Sequence, residues 1–531
     1  MSNSKFLLTM IKSLHKFGIV VVLIGLLASC TKNFDRINTD PTAAPIVSPG
    51  ILLTRGLLYV SGGEFEAWRA NLIYCAPMVQ HIASLSLTYV GDKYLYNDGY
   101  TGAAFNSFYP NGVKILTTLI DQTKNDPTQV NVNAMARIAK VIMLQRLTDL
   151  YGYVPYLAAG RGFLDQNFTP AYDPQDVIYA GLASELQAAA AQLDPSKSTP
   201  GNADISGYGG SPAQWKKLAY SLLLRVGLRL SKKADPSQGK TWVQQAVAGG
   251  VFTTNTDAFF IQHASGDYDN PNSHVIGVYP GSRGETGKDI MDIKLSKFFV
   301  DLLKGKSDPR LQIISELPKA DSTPGGSDDP ALQKGLPNGF DNTSDPVFGI
   351  GTTGDANLAH YSQPKQVIAQ PNSPNIFITF SEVQLMLAEA AARGWIAGDP
   401  VQFFTTGVKS GIWQWTLYSP SIVYNDAAAT TYATAQAAAL SGPLNSQLEA
   451  INTQYYITTF LNDYETYANW RRSGFPVLTP VNYKNNETNG QIPRRLRYPR
   501  NEYDVNRNNV NAANAAQGPD LFTTPIWWDK P

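Results

Sequence analysis

Cysteine is nearly missing from this chain of 531 residues, which has only Cys30 and Cys75. Two cysteines cannot form the disulfide framework that stabilises many small exported domains. A chain of this length can instead bury a large apolar core. We therefore expect the stability of the fold to come from side-chain packing.

Charged side chains are also sparse, at 16% of the sequence against roughly 25% in an average globular protein. The 43 Lys and Arg balance the 43 Asp and Glu, so the net charge is zero. Nucleic-acid-binding proteins usually have a basic surplus, because contacts with phosphates supply much of their affinity. The composition therefore predicts no nucleic-acid partner.

Several catalytic motifs do not occur: HExxH, GxSxG and a complete GxxxxGK[ST]. The sequence therefore gives no motif evidence for a zinc protease, a serine hydrolase or a P-loop enzyme. A glycosidase needs only two carboxylates at a set separation, which a sequence does not show. We predict a non-catalytic protein with no catalytic residues and no cofactor, and a surface glycosidase stays open as an alternative.

The first 30 residues are typical of an exported protein. Lys5, Lys12 and Lys16 precede an apolar run over residues 17–28. This run is shorter than the roughly 20 residues that a transmembrane helix needs, and its length fits the core of a signal peptide. We predict a cleaved signal peptide over residues 1–29.

The sequence LASC at residues 27–30 resembles a bacterial lipobox, so Cys30 is the predicted lipidation site. Residues 30–49 are rich in Thr, Pro and Asn, as expected of a tether between the lipid and the folded body. No other apolar stretch approaches 18 residues. We therefore expect a body that is anchored to a membrane by lipid and does not span it.

Helical periodicity dominates the remaining sequence. In residues 211–231 the apolar side chains recur at helical spacing, with Ser211 as a natural N-cap and Pro212 at the first helical position. Asp173 and Pro174 repeat this pattern, and Ser381 with Gln384 suggests a capping box. Paired amphipathic helices of this kind predict a mainly α fold of tetratricopeptide-like hairpins.

The composition also predicts how the body is organised. Helical repeats fit residues 50–248 and 376–473, whereas residues 249–375 are rich in Gly, Pro, Asn, Asp and Ser. We expect residues 249–375 to form a large irregular insert with few short strands and ligand-side loops, because long loops in compact domains are usually functional. Residues 474–531 are predicted to form an irregular C-terminal cap.

Several segments together resemble the SusD/RagB-like outer-membrane lipoproteins, specifically the SusD-like type 2 branch. They are the lipobox with NFDRINTDP at 33–41, the helix at 136–156 ending DLYGYVPY, ITFSEV at 378–383, YANWRRSGFP at 467–476, RYPRNE at 497–502 and IWWD at 526–529. The similarity follows the chain in order over nearly its whole length, which makes it more specific than any single motif.

The resemblance implies a tetratricopeptide-like fold anchored at the outside of a Bacteroidetes-type outer membrane. It also implies a role as a lid on a SusC-like TonB-dependent transporter, where the protein captures oligosaccharides, or in some members peptides, for uptake. Members of the family are non-catalytic. The arginine clusters at 471–472 and 494–500 are better explained as partners of helix carbonyls and buried carboxylates than as a ligand site.

A neutral sugar needs flat aromatic platforms together with amide and carboxylate side chains that bond its hydroxyls. The loop at residues 89–100 contains both kinds of group, and in the resembling family the loop ahead of the next helix contributes to the glycan site. The candidate ligand-binding residues of this loop are Tyr89, Asp92, Tyr94, Tyr96, Asn97, Asp98 and Tyr100.

A second candidate loop covers residues 262–283, where the ligand candidates are Tyr268, Asn270, Tyr279 and Arg283. Its acidic and histidine residues do not follow a calcium-loop pattern, since the glycine and the terminal glutamate are missing. We therefore predict no metal site. The choice between a sugar and a peptide as ligand stays open from the sequence.

Overall fold

The structure is a computed structural model that describes residues 47–62, 66–263, 293–319 and 324–530. The body formed by Pro49–Pro531 is one compact unit. Both the signal peptide and Cys30 lie outside the described residues, so their predictions are untested. Within the described residues, no helix combines the length and the apolarity needed to cross a bilayer.

The body is mainly helical, as the sequence predicts. The described α-helices of nine residues or more are α1 (Pro49–Val60), α2 (Lys114–Thr123), α3 (Val130–Tyr151), α4 (Gln175–Gln192), α5 (Pro212–Arg229), α6 (Ser237–Gly249), α7 (Lys297–Gly305), α8 (Phe380–Ala392), α9 (Pro400–Trp413), α10 (Asp426–Ala437), α11 (Leu444–Thr458), α12 (Asp463–Ser473) and α13 (Arg507–Gln517).

Helices that follow each other along the chain pack side by side. Helices α3, α4, α5 and α6 form one series of neighbours, and α8, α9 and α10 form another, while α11 returns to pack on α8. Each helix buries an apolar face against its neighbours, such as Trp215, Leu218 and Leu222 of α5. This arrangement confirms the predicted tetratricopeptide-like hairpins.

The start of α5 follows the prediction. The Ser211 hydroxyl accepts a hydrogen bond from the backbone amide of Gln214, and Pro212 occupies the first helical position. The start of α4 does not. Pro174 is its N-cap residue and gives no side-chain cap. The Asp173 carboxylate instead accepts hydrogen bonds from the amides of Tyr156 and Leu157, at 2.8 and 2.9 Å.

The predicted capping box of α8 is displaced by two residues. Thr379 is the N-cap, and its hydroxyl and the Glu382 carboxylate each accept a hydrogen bond from the other residue's backbone amide. Ser381 lies inside the helix, where its hydroxyl is buried and donates to the carbonyl of Gly407. The polar residue that caps the helix therefore precedes the one chosen from the sequence.

The strands are few and short within the described residues. They are β1 (Ile82–Ser84), β2 (Phe259–Ile261), β3 (Ile293–Leu295), β4 (Ser315–Glu316), β5 (Gln363–Pro364) and β6 (Asn375–Ile378). They pair antiparallel as β1 with β3, β2 with β6 and β4 with β5. All except β1 begin in the loop-rich region predicted from residue 249 onward.

Residues near the C-terminus complete the core instead of lying on its surface. Trp528 is fully buried, and its indole N–H donates to the Asp149 carboxylate at 3.0 Å. Arg229 pairs with the same carboxylate at 3.2 Å. The region at 474–531 contains α13 and supplies central packing.

The arginine clusters have the structural roles expected from the sequence. Arg471 donates to the backbone carbonyls of Asp149 and Arg494. Arg472 pairs with Glu389, and Arg495 pairs with Asp520 at 3.1 Å. The side chains of Arg471, Arg472 and Arg495 are buried, whereas Arg497 is half-buried and Arg500 is exposed.

Candidate functional site

The candidate loop at residues 89–100 is fixed to the body through Asp92. This buried carboxylate accepts hydrogen bonds from Lys93 Nζ at 3.1 Å, Asn338 Nδ2 at 3.1 Å and the backbone amide of Gly339 at 3.0 Å. The Lys93 ammonium is also buried and donates to the carbonyl of Ser84. Asp92 therefore ties two distant segments together and has no free face for a ligand.

Close backbone packing fixes the same loop at Gly91. A Cβ atom at this position would lie 2.5 Å from the carbonyl oxygen of Ile73 and 2.6 Å from that of Tyr74. Only glycine avoids this overlap. The residue that ends the following 3₁₀ turn, Tyr94, has a positive φ of 52° and is 1% exposed. Its hydroxyl accepts a hydrogen bond from the amide of Val481 at 3.2 Å.

Trp68 lies beside the loop, on the π-helix Trp68–Cys75. Its indole N–H donates to the hydroxyl of Tyr89 at 3.0 Å, and Tyr89 itself is buried. The ring of Tyr100 meets the indole edge-on, with 6.2 Å between the centroids. Trp68 and Tyr100 are both half-buried, so part of this aromatic pair faces outward.

Tyr96 is the centre of the outward part of the loop. Its hydroxyl donates to the Asp98 carboxylate at 2.9 Å, and the same oxygen accepts the backbone amide of Arg500 at 2.9 Å. The Arg497 guanidinium lies 4.1 Å from the centre of the Tyr96 ring, and that of Arg500 lies 5.7 Å away. The guanidinium contacts and the hydrogen bond to Asp98 together fix the ring.

Electrostatics keep Tyr96 protonated and able to donate. Burial, together with the neighbouring Asp98 carboxylate, raises the pKa of Tyr96 to about 12. Arg497 opposes this shift, and it is itself paired with Glu487 at 2.9 Å. At neutral pH the site therefore presents a neutral phenol between carboxylates and guanidinium groups.

Asn97 adds a free amide next to this tyrosine. It is exposed and precedes the short helix Asp98–Thr101, yet its side chain makes no capping bond. Within the described residues the Asn97 side chain has no hydrogen-bond partner. An amide that both donates and accepts suits the hydroxyls of a sugar.

The structure thus divides the seven candidates of the first loop into two groups. Tyr89, Asp92 and Tyr94 are buried and support the loop, so we no longer place them at the ligand surface. Tyr96, Asn97, Asp98 and Tyr100 reach the surface. Together with Trp68, Arg497 and Arg500 they form what we call the Tyr96 surface. The second-loop candidates, Tyr268, Asn270, Tyr279 and Arg283, lie outside the described residues.

Trp68, Arg497 and Arg500 are members that the sequence reasoning did not select. Trp68 falls in the predicted helical-repeat region at 50–248, and no local pattern distinguishes it from a tryptophan of the core. The two arginines follow the loop by some 400 positions, as the 402-residue separation of Asp98 and Arg500 shows. Only the tertiary fold brings them to Tyr96.

The described residues show no grouping of three or more His, Cys, Asp or Glu side chains that could bind a metal ion. One GxGxxG spacing does occur, at residues 349–354. It lies on the four-residue helix Ile350–Thr353, which follows a loop and no strand. A dinucleotide-binding turn requires a strand before it and a long helix after it, so this spacing gives no cofactor site.

A body of stacked helical hairpins with an aromatic, amide-bearing surface on its loops defines a helical-repeat protein suited to ligand capture. The chain belongs to the SusD-like type 2 family. The model of that family, described as "Starch-binding associating with outer membrane", matches residues 46–499. No curated protein sequence matches at a significant level.

Solved structures agree with this family. A structure described as a chitin-binding protein is 32% identical, has a TM-score of 0.77 and covers 91% of this chain and 100% of its own. A SusD-like structure described as Bacteroidetes AC2a is 26% identical, with a TM-score of 0.79 and the same coverage. A chitin-binding SusD homologue from Flavobacterium johnsoniae, 22% identical with a TM-score of 0.74 over 90% of this chain and 98% of its own, shows the same fold.

Proposed function

We propose that this protein is a non-catalytic, surface-exposed outer-membrane lipoprotein that captures oligosaccharides and delivers them to a SusC-like TonB-dependent transporter. The observation that supports saccharide capture most directly is the Tyr96 surface. It combines a fixed aromatic ring and a free amide at Asn97 with two guanidinium groups from a segment about 400 positions later. The role of Cys30 as the anchor is part of the same proposal.

The first ligand class to test is β-1,4-linked N-acetylglucosamine. A structure 32% identical over 91% of this chain is described as a chitin-binding protein. Each N-acetyl group offers one amide N–H and one carbonyl, which the Asp98 carboxylate, the Asn97 amide and Arg500 complement. The sugar ring offers an apolar face that suits half-buried aromatic rings such as Tyr100 and Trp68.

The test is a calorimetric titration of the protein with N-acetylchitotetraose, maltotetraose, cellotetraose and a mixed tetrapeptide pool. Tyr96→Ala removes the central ring. Tyr424→Ala is a matched control, because Tyr424 also donates to an aspartate two residues later, at 2.9 Å to Asp426, on a different part of the body. Both substitutions therefore break the same local motif.

The proposal predicts saturable binding of at least one saccharide, weakened about tenfold or more, roughly 1.4 kcal/mol, by Tyr96→Ala and unchanged by Tyr424→Ala. If only the peptides bind, the proposed function changes from saccharide capture to peptide capture. Release of reducing ends from a bound saccharide would show a glycosidase. Radiolabelled-lipid incorporation that disappears in Cys30→Ser would support the anchor.

A further inference from the structure

A groove lies on the helical-repeat face between α4 and α6 and shares no residue with the Tyr96 surface. Its volume is about 520 Å³, within the range of roughly 300–1,000 Å³ that is usual for small-molecule sites. Asp176, Ala180, Ser184 and Gln187 of α4 line one wall. These positions are spaced at i, i+4, i+8 and i+11, so they form one face of the helix.

The opposite wall comes from α6 in the same way. Gln238, Trp242 and Gln245 are spaced at i, i+4 and i+7, and all three line the groove. Gln187 Nε2 donates to Gln245 Oε1 at 3.1 Å and links the two walls. The small side chains of Ala180 and Ser184 leave space between the helices that larger residues would fill.

The floor of the groove is aromatic and apolar. Leu230 and Trp242 are buried beneath it, and the half-buried ring of Trp527 closes one side. Trp527 is supported by Tyr179, at 6.2 Å between ring centroids, and by Lys233, whose ammonium lies 5.3 Å from the ring. These contacts fix an aromatic platform in the groove.

The rim offers polar groups that the protein itself does not use. Within the described residues, the side chains of Asp176, Ser184 and Gln238 have no hydrogen-bond partner. The bond between Gln187 and Gln245 leaves one carbonyl and one NH₂ group available. The charged residues that line the groove are Asp176, Asp235 and Lys233, so its lining has no basic surplus to favour an anionic ligand.

We propose that this groove is a second binding site for neutral oligosaccharide, resting on saccharide capture as the function proposed above. Trp527 and Trp242 supply apolar contact for a sugar ring. The amides and carboxylates of the rim supply acceptors and donors for its hydroxyls. Two sites on one body would increase the retention of a long chain through effective concentration.

The test uses the full-length protein and the saccharides N-acetylchitotetraose, maltotetraose and cellotetraose. Ala180→Phe fills the groove without removing a buried contact, since Ala180 is exposed. Ala188→Phe is the matched control, because Ala188 is an exposed alanine of the same helix that does not line the groove. Tyr96→Ala reports on the first site.

We expect two sites per chain in calorimetry for the wild type and Ala188→Phe, one in Ala180→Phe, and retention of the groove site in Tyr96→Ala. If Ala180→Phe binds every saccharide like the wild type while Tyr96→Ala loses binding, the second site is overturned and the proposed function stands. If only Ala180→Phe loses binding, the groove stands and the Tyr96 surface fails. Absence of binding to the wild type overturns both.

Discussion

Arg472 of α12 and Glu389 of α8 form a buried two-pronged ion pair, with Nη1 to Oε1 at 2.6 Å and Nη2 to Oε2 at 2.7 Å. Asn452 and Asn469 complete the hydrogen bonding of the guanidinium group. Arg393 contacts the same carboxylate at 2.8 Å from a more exposed position. The pair joins two helices that are distant in sequence.

Removal of Arg472 is expected to destabilise the body strongly. Arg472→Met leaves the Glu389 carboxylate buried with less compensation, and breaking a buried pair in this way costs about 3–5 kcal/mol. Urea unfolding followed by circular dichroism measures the loss. Arg393→Met is the matched control and should cost much less. Equal losses for the two variants would show that burial of the pair does not determine its contribution.

The same pair predicts a dependence of stability on acid. Burial alone would raise the pKa of Glu389, but Arg472 and Arg393 outweigh it and hold the pKa well below its usual range. A lowered pKa in the folded state gives stability that is present above the unfolded value, near 4.5, and is lost as the pH falls. The stability difference between wild type and Glu389→Gln should therefore shrink between pH 5 and pH 3.

Glu66 is expected to give the opposite pH dependence to Glu389, with stability that is lost as the pH rises. Burial raises its pKa to about 7, despite a hydrogen bond from Tyr464 and the charge of Arg146. The folded state therefore retains a proton that the unfolded state has lost, so stability decreases as the pH rises from about 4.5 to 7. At roughly 1.36 kcal/mol per pKa unit, the change approaches about 3 kcal/mol.

Urea unfolding of the wild type and of Glu66→Gln at several pH values measures this pH-dependent contribution to the free energy of unfolding, because glutamine stays neutral at every pH. Relative to the variant, the wild type should lose stability between pH 4.5 and pH 7. Glu449→Gln, at an exposed glutamate of α11, is the control for removing one carboxylate. Curves that run parallel for wild type and Glu66→Gln would contradict the prediction.

Gly91→Ala is expected to disturb the loop that presents Tyr96. The added Cβ would overlap two backbone carbonyl oxygens of the π-helix, and such overpacking costs about 1–3 kcal/mol. Gly305→Ala is the control, because a Cβ there meets nothing within 4 Å. Thermal unfolding should show a loss for Gly91→Ala alone, and saccharide affinity should fall with it. Equal melting temperatures would show that the loop can relax around the methyl group.

The helical architecture could be predicted from the sequence because periodicity records which face of each helix is buried. Helix α5 illustrates this: both its apolar stripe and its Ser211 cap appear as predicted. The predicted N-caps of α4 and α8 were wrong for a physical reason. Asp173 and Ser381 had better partners in other segments, namely the amides near Tyr156 and the carbonyl of Gly407.

The candidate site was predictable only in part. The loop composition indicated tyrosines and amides, and four of the seven candidates do reach the surface. The sequence does not distinguish the buried Tyr94 from the half-buried Tyr96. The backbone amide of Val481 that bonds Tyr94 and the Arg497 guanidinium that contacts Tyr96 both lie about 400 residues later in the chain. Whether a tyrosine of this loop is exposed depends on which distant segments pack against it, and the local order of residues does not show this.

The buried bond between Trp528 and Asp149 has a consequence for the timing of biosynthesis. The two residues are 379 positions apart, and ribosomes add about 5–20 residues per second. Asp149 is therefore synthesised roughly 20–75 seconds before the indole that completes its surroundings. During that interval the nascent chain lacks part of its final core.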